Sequence, residues 1–437
     1  MRQGDRGRVT LAVAAAVWAL APPGQARAVD AYPYAFDSGA RPIDGAESTA
    51  DAPALEEGTT YVSSIRLEGK LNYRVDLDAV RNAYVSVVAV PPAPASGTRQ
   101  SPSDGIKVTL QDGRGSTCSI SSDRAGAAGA ARPLAAYAYR TVGKRGTNCR
   151  AAGAYNILVE RTGAATSTPG DWALEIRHTT EPALDGGPTE APDAWPSQSP
   201  GLPAGSPREV SGGTGFNDAP NISEGEWTSK MEAGRTYFYR VPVSWGQQVF
   251  ARAAIGSANG KGFVGTAVTM RLYNPVRGFV TDASTAYSGG QKEAALRPLP
   301  KALYENRFAS NPMVNGMRLE GTYYLAVTLN PELGEKFGGP FGVALSVNVE
   351  GAAQAGTGST GRTGGSSGAV AEGKTGRSGT MKVVGTAAFG AGTVLVLGLA
   401  AWTLAARRQA ARTASYASHG ASLPPPSRTP YGPPGGG

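Results

Sequence analysis

The sequence predicts an all-β ectodomain made of two tandem antiparallel β-sandwich (jelly-roll-like) domains, followed by one transmembrane α-helix. Three observations point to this fold class. Short apolar runs recur every ten to twenty positions between turn-forming Gly, Pro, Asp and Asn residues, as they do in sandwiches. The series of runs occurs twice, and one uncharged stretch near the C-terminus is long enough to cross a bilayer.

The first 28 residues have the features of a secretion signal. Three arginines precede an apolar run at 10–21 that is too short to span a bilayer, and Ala-Arg-Ala at 26–28 is a pattern that signal peptidases accept. We therefore expect cleavage after residue 28 and an exported chain in which 29–50 leads into the first domain.

The first β-sandwich is predicted over 51–178. It contains strand-like runs such as YRVDL at 73–77 and IKVTL at 106–110. Cys118 and Cys149 are the only two cysteines of the chain, and a pair in an exported protein most simply forms a disulfide. On the chain-entropy model this crosslink would stabilise the fold by roughly 3–4 kcal/mol.

The second β-sandwich, predicted over 218–350, is an internal repeat of the first. The phrase DAP…EG occurs at 51–58 and again at 218–225. In the same order, YRV at 73–75 matches YRV at 239–241, GIKVTL at 105–110 matches GTAVTM at 265–270, GAYNILV at 153–159 matches GTYYLAV at 321–327, and WALEI at 172–176 matches GVALSV at 342–347. Because order and spacing both repeat, with offsets of 160 to 171 residues, we interpret the two copies as a duplication.

Segments without core-forming patterns connect these domains to each other and to the membrane. Residues 179–217 are rich in Pro, Gly, Ser and acidic residues and are predicted to be a partly extended linker. Residues 351–380 form a Gly/Ser/Thr stalk, which as a random coil would span about 30 Å.

A transmembrane helix is predicted over 383–406. These residues carry no charge, and as a helix they would extend about 36 Å against a hydrocarbon core of about 30 Å. Arginines follow at once, which places the Pro/Gly-rich tail, 407–437, in the cytoplasm. The small-xxx-small pair Ala388 and Gly392 would allow a weak homodimer through this helix.

The net charge of +8 belongs to the ends of the chain and not to the ectodomain. The first 28 residues carry +3 and residues 351–437 carry +7, which leaves −2 for 29–350. The basic balance therefore reflects export and anchoring, and nucleic acid is not an expected partner.

Catalytic motifs occur in the stalk, where composition alone accounts for them. GTGSTG (356–361), GGSSG (364–368) and GAVAEGKT (368–375) fit nucleotide-binding and nucleophile-elbow patterns, but no apolar strand precedes them. The exported part has one histidine, His178, which is too few for a zinc site or a Cys/His constellation. We therefore expect no catalytic residue, no cofactor and no enzymatic activity.

Carboxylates near the start of each copy are candidate calcium ligands. Asp51 and Glu57 in the first copy, and Asp218 and Glu224 in the second, could meet at the mouth of each sandwich. The alternative interpretation, which we favour, is that the aspartate and proline of each phrase build the turn into the first strand.

The second domain contains a concentration of aromatic residues. Trp227, Tyr237, Tyr239 and Trp245 lie close in sequence, and strand alternation places Tyr237 and Tyr239 on one face with Phe238 on the other. A sheet in a two-layer sandwich has one buried face, so one aromatic set would remain as an interaction surface for a protein or a glycan. The alternative is that these residues belong to the core and to a covered edge.

The strand pattern of each copy resembles bacterial pre-peptidase C-terminal β-sandwich domains. The Gly-x-Tyr hairpin and the run YFYRVPVSWGQQVFARA at 237–253 carry that likeness. The whole chain is similar to a group of actinobacterial surface proteins that have a signal peptide, two such modules, a low-complexity stalk and a C-terminal membrane helix. The matching pieces are GTGFNDAP at 213–220, FYRVPVSWGQQ at 238–248 and NPMVNGMRLEGTYYLAV at 311–327.

The resemblance implies no active site. Relatives sometimes carry a von Willebrand factor A domain as well, whose D-x-S-x-S metal motif is approached here at Asp282 and fails at Ala286.

The sequence as a whole predicts a single-pass protein of the cell membrane, with its ectodomain outside and its tail in the cytoplasm. We expect a non-enzymatic structural or protein-interaction role at the cell envelope, with another envelope protein or a cell-wall polymer as partner. The alternative is a module that binds carbohydrate or wall polymer, and a less favoured one is an accessory domain of an exported hydrolase system.

Overall fold

The computed structural model describes residues 34–92, 100–126, 130–143, 149–163, 170–183 and 190–354, all within one compact unit. They form two β-sandwiches. The predicted signal, most of the stalk, the predicted transmembrane helix at 383–406 and the tail lie outside the described residues. In the part of the chain that is described, no helix is long and apolar enough to cross a membrane.

Nine strands build the first sandwich. They are β1 (Arg41–Pro42), β2 (Thr60–Ile65), β3 (Lys70–Leu77), β4 (Arg81–Val90), β5 (Gly105–Gln111), β6 (Thr117–Arg124), β7 (Leu134–Arg140), β8 (Gly153–Thr162) and β9 (Trp172–Pro182). One sheet has the order β1-β2-β9-β4-β7, and the other has the order β3-β8-β5-β6. β1 pairs with β2 in parallel, and the other pairs between these strands are antiparallel.

Nine further strands build the second sandwich. They are β10 (Arg208–Glu209), β11 (Gly225–Met231), β12 (Thr236–Val243), β13 (Gln248–Ile255), β14 (Val264–Tyr273), β15 (Phe279–Tyr287), β16 (Lys292–Ala295), β17 (Gly321–Leu329) and β18 (Phe341–Glu350). Their sheet orders are β10-β11-β18-β13-β16 and β12-β17-β14-β15, so each strand of the first sandwich has its counterpart nine strands later. The β-sandwich fold and the duplication that the sequence predicts are therefore confirmed.

Short helical turns connect strands of the second sandwich. They are a 3-10 helix at Tyr304–Phe308, α1 at Pro312–Gly316 and α2 at Glu332–Phe337. Asn311 is the N-cap of α1, and its side chain accepts from the Met313 amide. Pro312 is the first residue of the helix, a position that needs no amide donor.

Strand β8 shows why these runs fold as they do. Its burial alternates, with Tyr155, Ile157 and Val159 inside and Asn156 and Leu158 facing outward. Inward-facing residues of this kind, taken from both sheets, form the core of each sandwich.

The Gly-x-Tyr hairpins that repeat in the sequence are tyrosine corners. Tyr155 and Tyr323 each donate from the phenol to the carbonyl four residues earlier, at 2.7 Å in both copies. Gly153 and Gly321 precede them with φ angles of 144° and 130°, a region that favours glycine. Each corner fixes where the strand enters the core.

The predicted disulfide is present in the first sandwich. Cys118 and Cys149 are bonded across a sequence separation of 31, with their Cα atoms 5.7 Å apart. The bond joins β6 to the loop that precedes β8.

The described part of the linker is tied to the second sandwich. Gln248 and Arg252 project from the outer face of β13 and donate to the carbonyls of Pro196 and Pro200, at 2.8 and 2.7 Å. Gln248 and Arg252 are four residues apart in β13, and so are Pro196 and Pro200 in the linker. The linker therefore runs extended alongside the strand. We call residues 195–200 the strap.

Candidate functional site

The repeated DAP phrases lie along the edge strands β3 and β12. The carbonyls of Pro53 and Pro220 accept from the backbone amides of Arg74 and Arg240, each at 2.8 Å. Each phrase thereby adds a short parallel bridge to the edge of a four-stranded sheet, which satisfies backbone groups that would otherwise be unpaired. Strand pairing itself begins about ten residues earlier, at β1 and β10.

The aspartates of both phrases hold turns. Asp218 accepts from the amides of Thr214 and Gly215, each at 2.8 Å, and Asp51 accepts from the Ser48 hydroxyl at 2.7 Å. In both copies the aspartate thus bonds to residues three or four positions before it and closes the loop that leads into the phrase, which agrees with the turn interpretation favoured from the sequence.

The two glutamates proposed as calcium ligands lie in different surroundings. Glu57 is ion-paired with Arg81 at 2.8 Å and also accepts from Thr180, while Glu224 is exposed. Burial would raise the pKa of Glu57, but the hydrogen bonds from Thr180 and Arg81 outweigh it and lower that pKa. Among the residues that the structure describes, no group of three His, Cys, Asp or Glu side chains could hold a metal ion.

His178 is a core residue of the first sandwich. It is 3% exposed, and its Nδ1 lies 3.1 Å from the carbonyl oxygen of Leu55. Burial lowers the pKa of His178, so the imidazole is held in its neutral form.

The aromatic residues proposed as an interaction surface do not form one. Tyr239 is fully buried, and Trp227, Tyr237 and Trp245 are half-buried against the core of the second sandwich. The predicted alternation is present, because Phe238 points to the opposite face, yet Phe238 is only 2% exposed. For Tyr239 and Phe238 the burial agrees with the alternative drawn from the sequence, a core and a covered surface, because another sandwich covers the second face.

The covering layer is the first sandwich itself. The outer face of the β12-β17-β14-β15 sheet packs on the outer face of the β1-β2-β9-β4-β7 sheet, and we call this contact the inter-sandwich interface. Phe216 lies at its centre, with its ring 4.9 Å from that of Phe238 and 5.0 Å from that of Tyr324. The buried apolar members are Tyr34, Val88, Val90, Ala135, Phe216, Ala219, Phe238, Tyr273, Tyr324 and Ala326.

A buried carboxylate of the first sandwich receives an arginine of the second. Glu175 on β9 is ion-paired with Arg277 and also accepts from the Asn217 side chain at 2.9 Å and the Asp37 amide at 3.1 Å. Burial would lower the pKa of Arg277, but the charge of Glu175 outweighs it and raises that pKa. Arg277 therefore stays charged in the β14–β15 hairpin, where its own φ is 61°.

A second carboxylate joins two arginines across the interface. Asp123 accepts from Arg132 at 2.7 and 2.8 Å and from Arg271 of the second sandwich at 2.8 Å. Burial alone would raise the pKa of Asp123, but the two guanidinium groups lower it to about 2. A further pair, Arg307 with Glu181, also links the sandwiches.

Arg318 of the second sandwich lies in a cage of tyrosines from the first. Its guanidinium carbon is 3.9 Å from the ring centroid of Tyr139, 5.2 Å from that of Tyr84 and 5.6 Å from that of Tyr137. It also donates to the Tyr137 hydroxyl at 3.1 Å. A desolvated cation over aromatic rings is stabilised by about 2 kcal/mol, so this cage is a strong point of the interface.

Sequence reasoning missed the interface, although one strand carried a signal of it. The run AYVSVVAV at 83–90 is apolar on both faces, which is typical of a strand covered on both sides. In β4 every residue after the first is buried. The polar partners of the interface could not be found in this way, because they lie far apart in sequence.

The outer face of the β12-β17-β14-β15 sheet, with which the second sandwich contacts the first, is the docking face. Its counterpart in the first sandwich is the outer face of the β3-β8-β5-β6 sheet, which we call the open face. Ile120 on this face is 57% exposed. Amides and a hydroxyl replace aromatic rings and a guanidinium at its central positions: Asn72 for Phe238, Gln111 for Tyr273, Asn156 for Tyr324 and Thr109 for Arg271. The strand pairing thus shifts the sequence match of 105–110 with 265–270 by two residues. The same fold position is thus dry in one copy and polar in the other.

The amides of the open face bond to one another, and Asn72, which is buried, also donates to the carbonyls of Ala46 and Glu47. Asn156 donates from Nδ2 to Asn72 Oδ1 at 3.1 Å and to Gln111 Oε1 at 3.3 Å. Asn156 Oδ1 and Thr109 Oγ1 are buried and have no hydrogen-bond partner among the described residues. Both oxygens are enclosed by the protein, so the half-buried amides of Gln111 and Asn156 are the polar groups that this face offers at its surface.

A charged row crosses the open face beside these amides. Glu160 lies between Lys70 and Lys107, with its oxygens 3.3 and 2.6 Å from the two ammonium nitrogens. Burial would raise the pKa of Glu160, but the two lysines outweigh it and lower that pKa. The row adds a surplus positive charge to the open face.

Comparison with known proteins gives no family for this chain. No family model matches it, and no curated protein matches it. Among solved structures it is similar to the N-terminal CBM22-1–CBM22-2 tandem domain of Xyn10C from Paenibacillus barcinonensis, with 13% identity over 68% of this chain and 93% of that chain and a TM-score of 0.19.

Two further structures share a similar extent of the chain. The tandem CBM51 modules of Sp3GH98, a family 98 glycoside hydrolase from Streptococcus pneumoniae, have 10% identity over 65% of this chain and 82% of theirs, with a TM-score of 0.17. The ANX1 ectodomain from Arabidopsis thaliana has 9% identity over 66% of this chain and 83% of its own, with a TM-score of 0.18. Because all three TM-scores lie below 0.5, no fold, ligand or partner is inferred from these likenesses.

Proposed function

We propose that the protein is a non-enzymatic interaction protein of the cell envelope, whose two sandwiches act as one rigid body and whose partner binds at the open face. The observation that supports this is the internal repeat. The second sandwich uses this face of its fold to dock on the first, through Phe238, Tyr324 and the hairpin arginine Arg277. A face that already serves docking in one copy is the first candidate for docking in the other.

In this proposal the segments outside the sandwiches export the protein and hold it at the cell membrane. Residues 1–28 direct export, 383–406 anchor the chain by a single span, and the tail lies in the cytoplasm. The stalk then holds the rigid pair away from the membrane, so that the open face is presented to other components of the envelope.

A carbohydrate or cell-wall polymer is the second candidate partner. The half-buried amides of Gln111 and Asn156 favour it, because side-chain amides both donate to and accept from the hydroxyl groups of sugars. The aromatic platform that the sequence predicted for a glycan is occupied by the core and the inter-sandwich interface, so the open face is the surface left for such a ligand.

Site-specific photo-crosslinking in intact cells tests this function. A benzophenone amino acid is placed at Ile120 on the open face and, as a matched control, at Phe263, which is 64% exposed on the second sandwich. We expect a discrete adduct from position 120 and none from position 263, with mass spectrometry showing whether the adduct is protein or polymer. Adducts of equal yield from both positions, or no adduct from position 120, would overturn the proposal.

A further inference from the structure

A pocket of about 420 Å³ lies at one end of the open face. One wall is the β5–β6 turn at 112–116, and the other is the segment 149–155. Ala154 of that segment is the next outward-facing residue of β8 after Asn156, so the pocket opens onto the amide row of the open face. Its size is within the range of small-ligand sites, about 300–1,000 Å³.

Local backbone constraints shape both walls of this pocket. Asp112 accepts from the amides of Arg114 and Ser116, at 3.0 and 2.8 Å, and Gly115 completes the turn with a φ of 81°. On the other wall Cys149 has a φ of 61°, which is uncommon for a residue other than glycine and is held in place by the disulfide. The walls are therefore formed before any ligand arrives.

The lining of the pocket carries a surplus of positive charge. Arg114 is exposed and Arg150 is half-buried, and neither has an ion-pair partner among the described residues. Asp112 is the one acidic residue of the lining, and its Oδ1 accepts both turn amides, so two guanidinium groups face one carboxylate and the lining keeps a net positive charge. Two guanidinium groups are thus available to an anion, which they recognise better than lysines do.

The second copy shows what an arginine of this hairpin does when a partner is present. Residues 274–278 form the equivalent β14–β15 turn, in which the Asn274 side chain accepts the turn amides as Asp112 does in the first copy. That turn carries Arg277, which binds the buried carboxylate of Glu175. Counted from the Asx residue of each turn, Arg277 stands where the first copy has Gly115, one position beyond Arg114, so the second copy shows that an arginine at an adjacent position of this turn binds a carboxylate.

The residues around the pocket favour an acidic sugar over an acidic peptide as the ligand that bears the negatively charged group. The aromatic positions that make the second copy a dry protein interface are Asn72, Gln111 and Asn156 here, which suits a ligand rich in hydroxyl groups. The pocket also lies between loops at the ends of strands, where no strand edge is offered for a peptide to pair with.

We propose that this pocket binds the carboxylate of an acidic sugar unit, held by Arg114 and Arg150, while the adjoining sugar of the polymer lies beside the amides of Gln111 and Asn156 on the open face. The proposal rests on the function proposed above and names the class of ligand for that face.

Calorimetric titration of the purified full-length protein in detergent with tetragalacturonate tests the proposal. Tetragalacturonate should bind, and the double variant Arg114→Ala with Arg150→Ala should bind it at least tenfold more weakly. The neutral tetrasaccharide of galactose, which lacks the carboxylates, should bind at least tenfold more weakly to the unaltered protein. The matched control, Lys261→Ala with Arg297→Ala, removes the same charge from exposed positions of the second sandwich and should change affinity by less than twofold.

The other outcomes each overturn the proposal in a recognisable way. Equal binding of the neutral tetrasaccharide would show that the anion is not recognised, and equal loss in the control would show charge attraction without a site. Binding of polyglutamate that is as tight and as sensitive to Arg114→Ala would show an acidic peptide to be the ligand. Absence of tetragalacturonate binding, with crosslinks from position 120 retained, would overturn this ligand class and leave the proposed function standing.

Discussion

Arginine is the residue on which the contact between the two sandwiches depends. Arg277, Arg307 and Arg318 all come from the second sandwich, and each reaches acceptors or rings of the first. A guanidinium group offers five donors and a flat face that stacks on aromatic rings, so it can be buried where those donors are met. Such contacts require one relative placement of the sandwiches, since a small shift would leave a charge buried without its partner.

Acid should weaken the contact that Asp123 makes with Arg132 and Arg271. The pKa of about 2 lies below its ordinary value of 3.8, so the folded protein holds this proton less tightly than the unfolded chain does. The stabilisation is therefore present above a pH of about 4 and is lost as the pH falls from about 4 to about 2. Its full size is about 2 kcal/mol, measured as the free energy of unfolding in urea over that range.

The variant Asp123→Asn is the control for this pH dependence, because it has no group to titrate at that position. Its own stability will be lower, but its loss between pH 4 and pH 2 should be smaller by about 2 kcal/mol than that of the unaltered protein. Parallel curves for the two proteins would show that Asp123 is not held below its ordinary pKa.

At the scale of elements, the β5–β6 hairpin of the first sandwich and its counterpart, the β14–β15 hairpin of the second, have different uses in one chain. The β14–β15 turn carries Arg277 into the buried surroundings of Glu175, whereas the β5–β6 turn carries Arg114 to the rim of a pocket. The turns share their geometry, because an Asx side chain closes each of them. What differs is the neighbour that each turn meets.

Replacing Glu175 with glutamine should leave Arg277 buried without its counter-charge. Breaking a buried pair in this way costs about 3–5 kcal/mol, so Glu175→Gln should lower the free energy of unfolding by that amount. The double variant Glu175→Gln with Arg277→Met removes both charges and should recover most of the loss. Urea denaturation of the four proteins completes the cycle, and a loss in the double variant equal to the sum of the two single losses would show that the two residues are not coupled.

The strands and the disulfide could be predicted from the sequence, but the packing of one sandwich on the other could not. Alternation and turn residues predicted strands such as 73–77, and the paired cysteines predicted their bond, because these depend on local pattern and on export. For Tyr239 the sequence left a surface and a core position open, because the alternation rule gives the two faces of a strand without saying what covers each face. The strap was predicted to be a linker, and nothing local to it shows that Gln248 and Arg252 would hold it.

At the scale of the whole molecule, the inter-sandwich interface makes two domains into one folding unit. Its aromatic cluster and its ion pairs are buried, so separating the sandwiches exposes apolar rings and charges at the same time. The two sandwiches should therefore melt in a single calorimetric transition. This expectation concerns 34–354, since the remainder of the chain lies outside the described residues.

Giving the docking face the residues of the open face should uncouple the sandwiches. The variant Phe238→Asn with Tyr324→Asn copies what the first sandwich has at those positions, and should split the single transition into two. Ile120→Asn, on the open face, is the control and should leave one transition with a midpoint within a few degrees of the original. Two transitions in the unaltered protein would show that the interface does not couple the domains.

The two copies meet through unlike surfaces, a five-stranded face of one and a four-stranded face of the other. A head-to-tail contact of this kind leaves one face unused at each end, and in a series of identical copies it would close into a ring or propagate into a filament. Here the strap lies along β13 at one end of the pair, and the amides and charges of the open face stand at the other. The chain is therefore a two-unit array with a cap on each end, in the way that terminal repeats cap a solenoid.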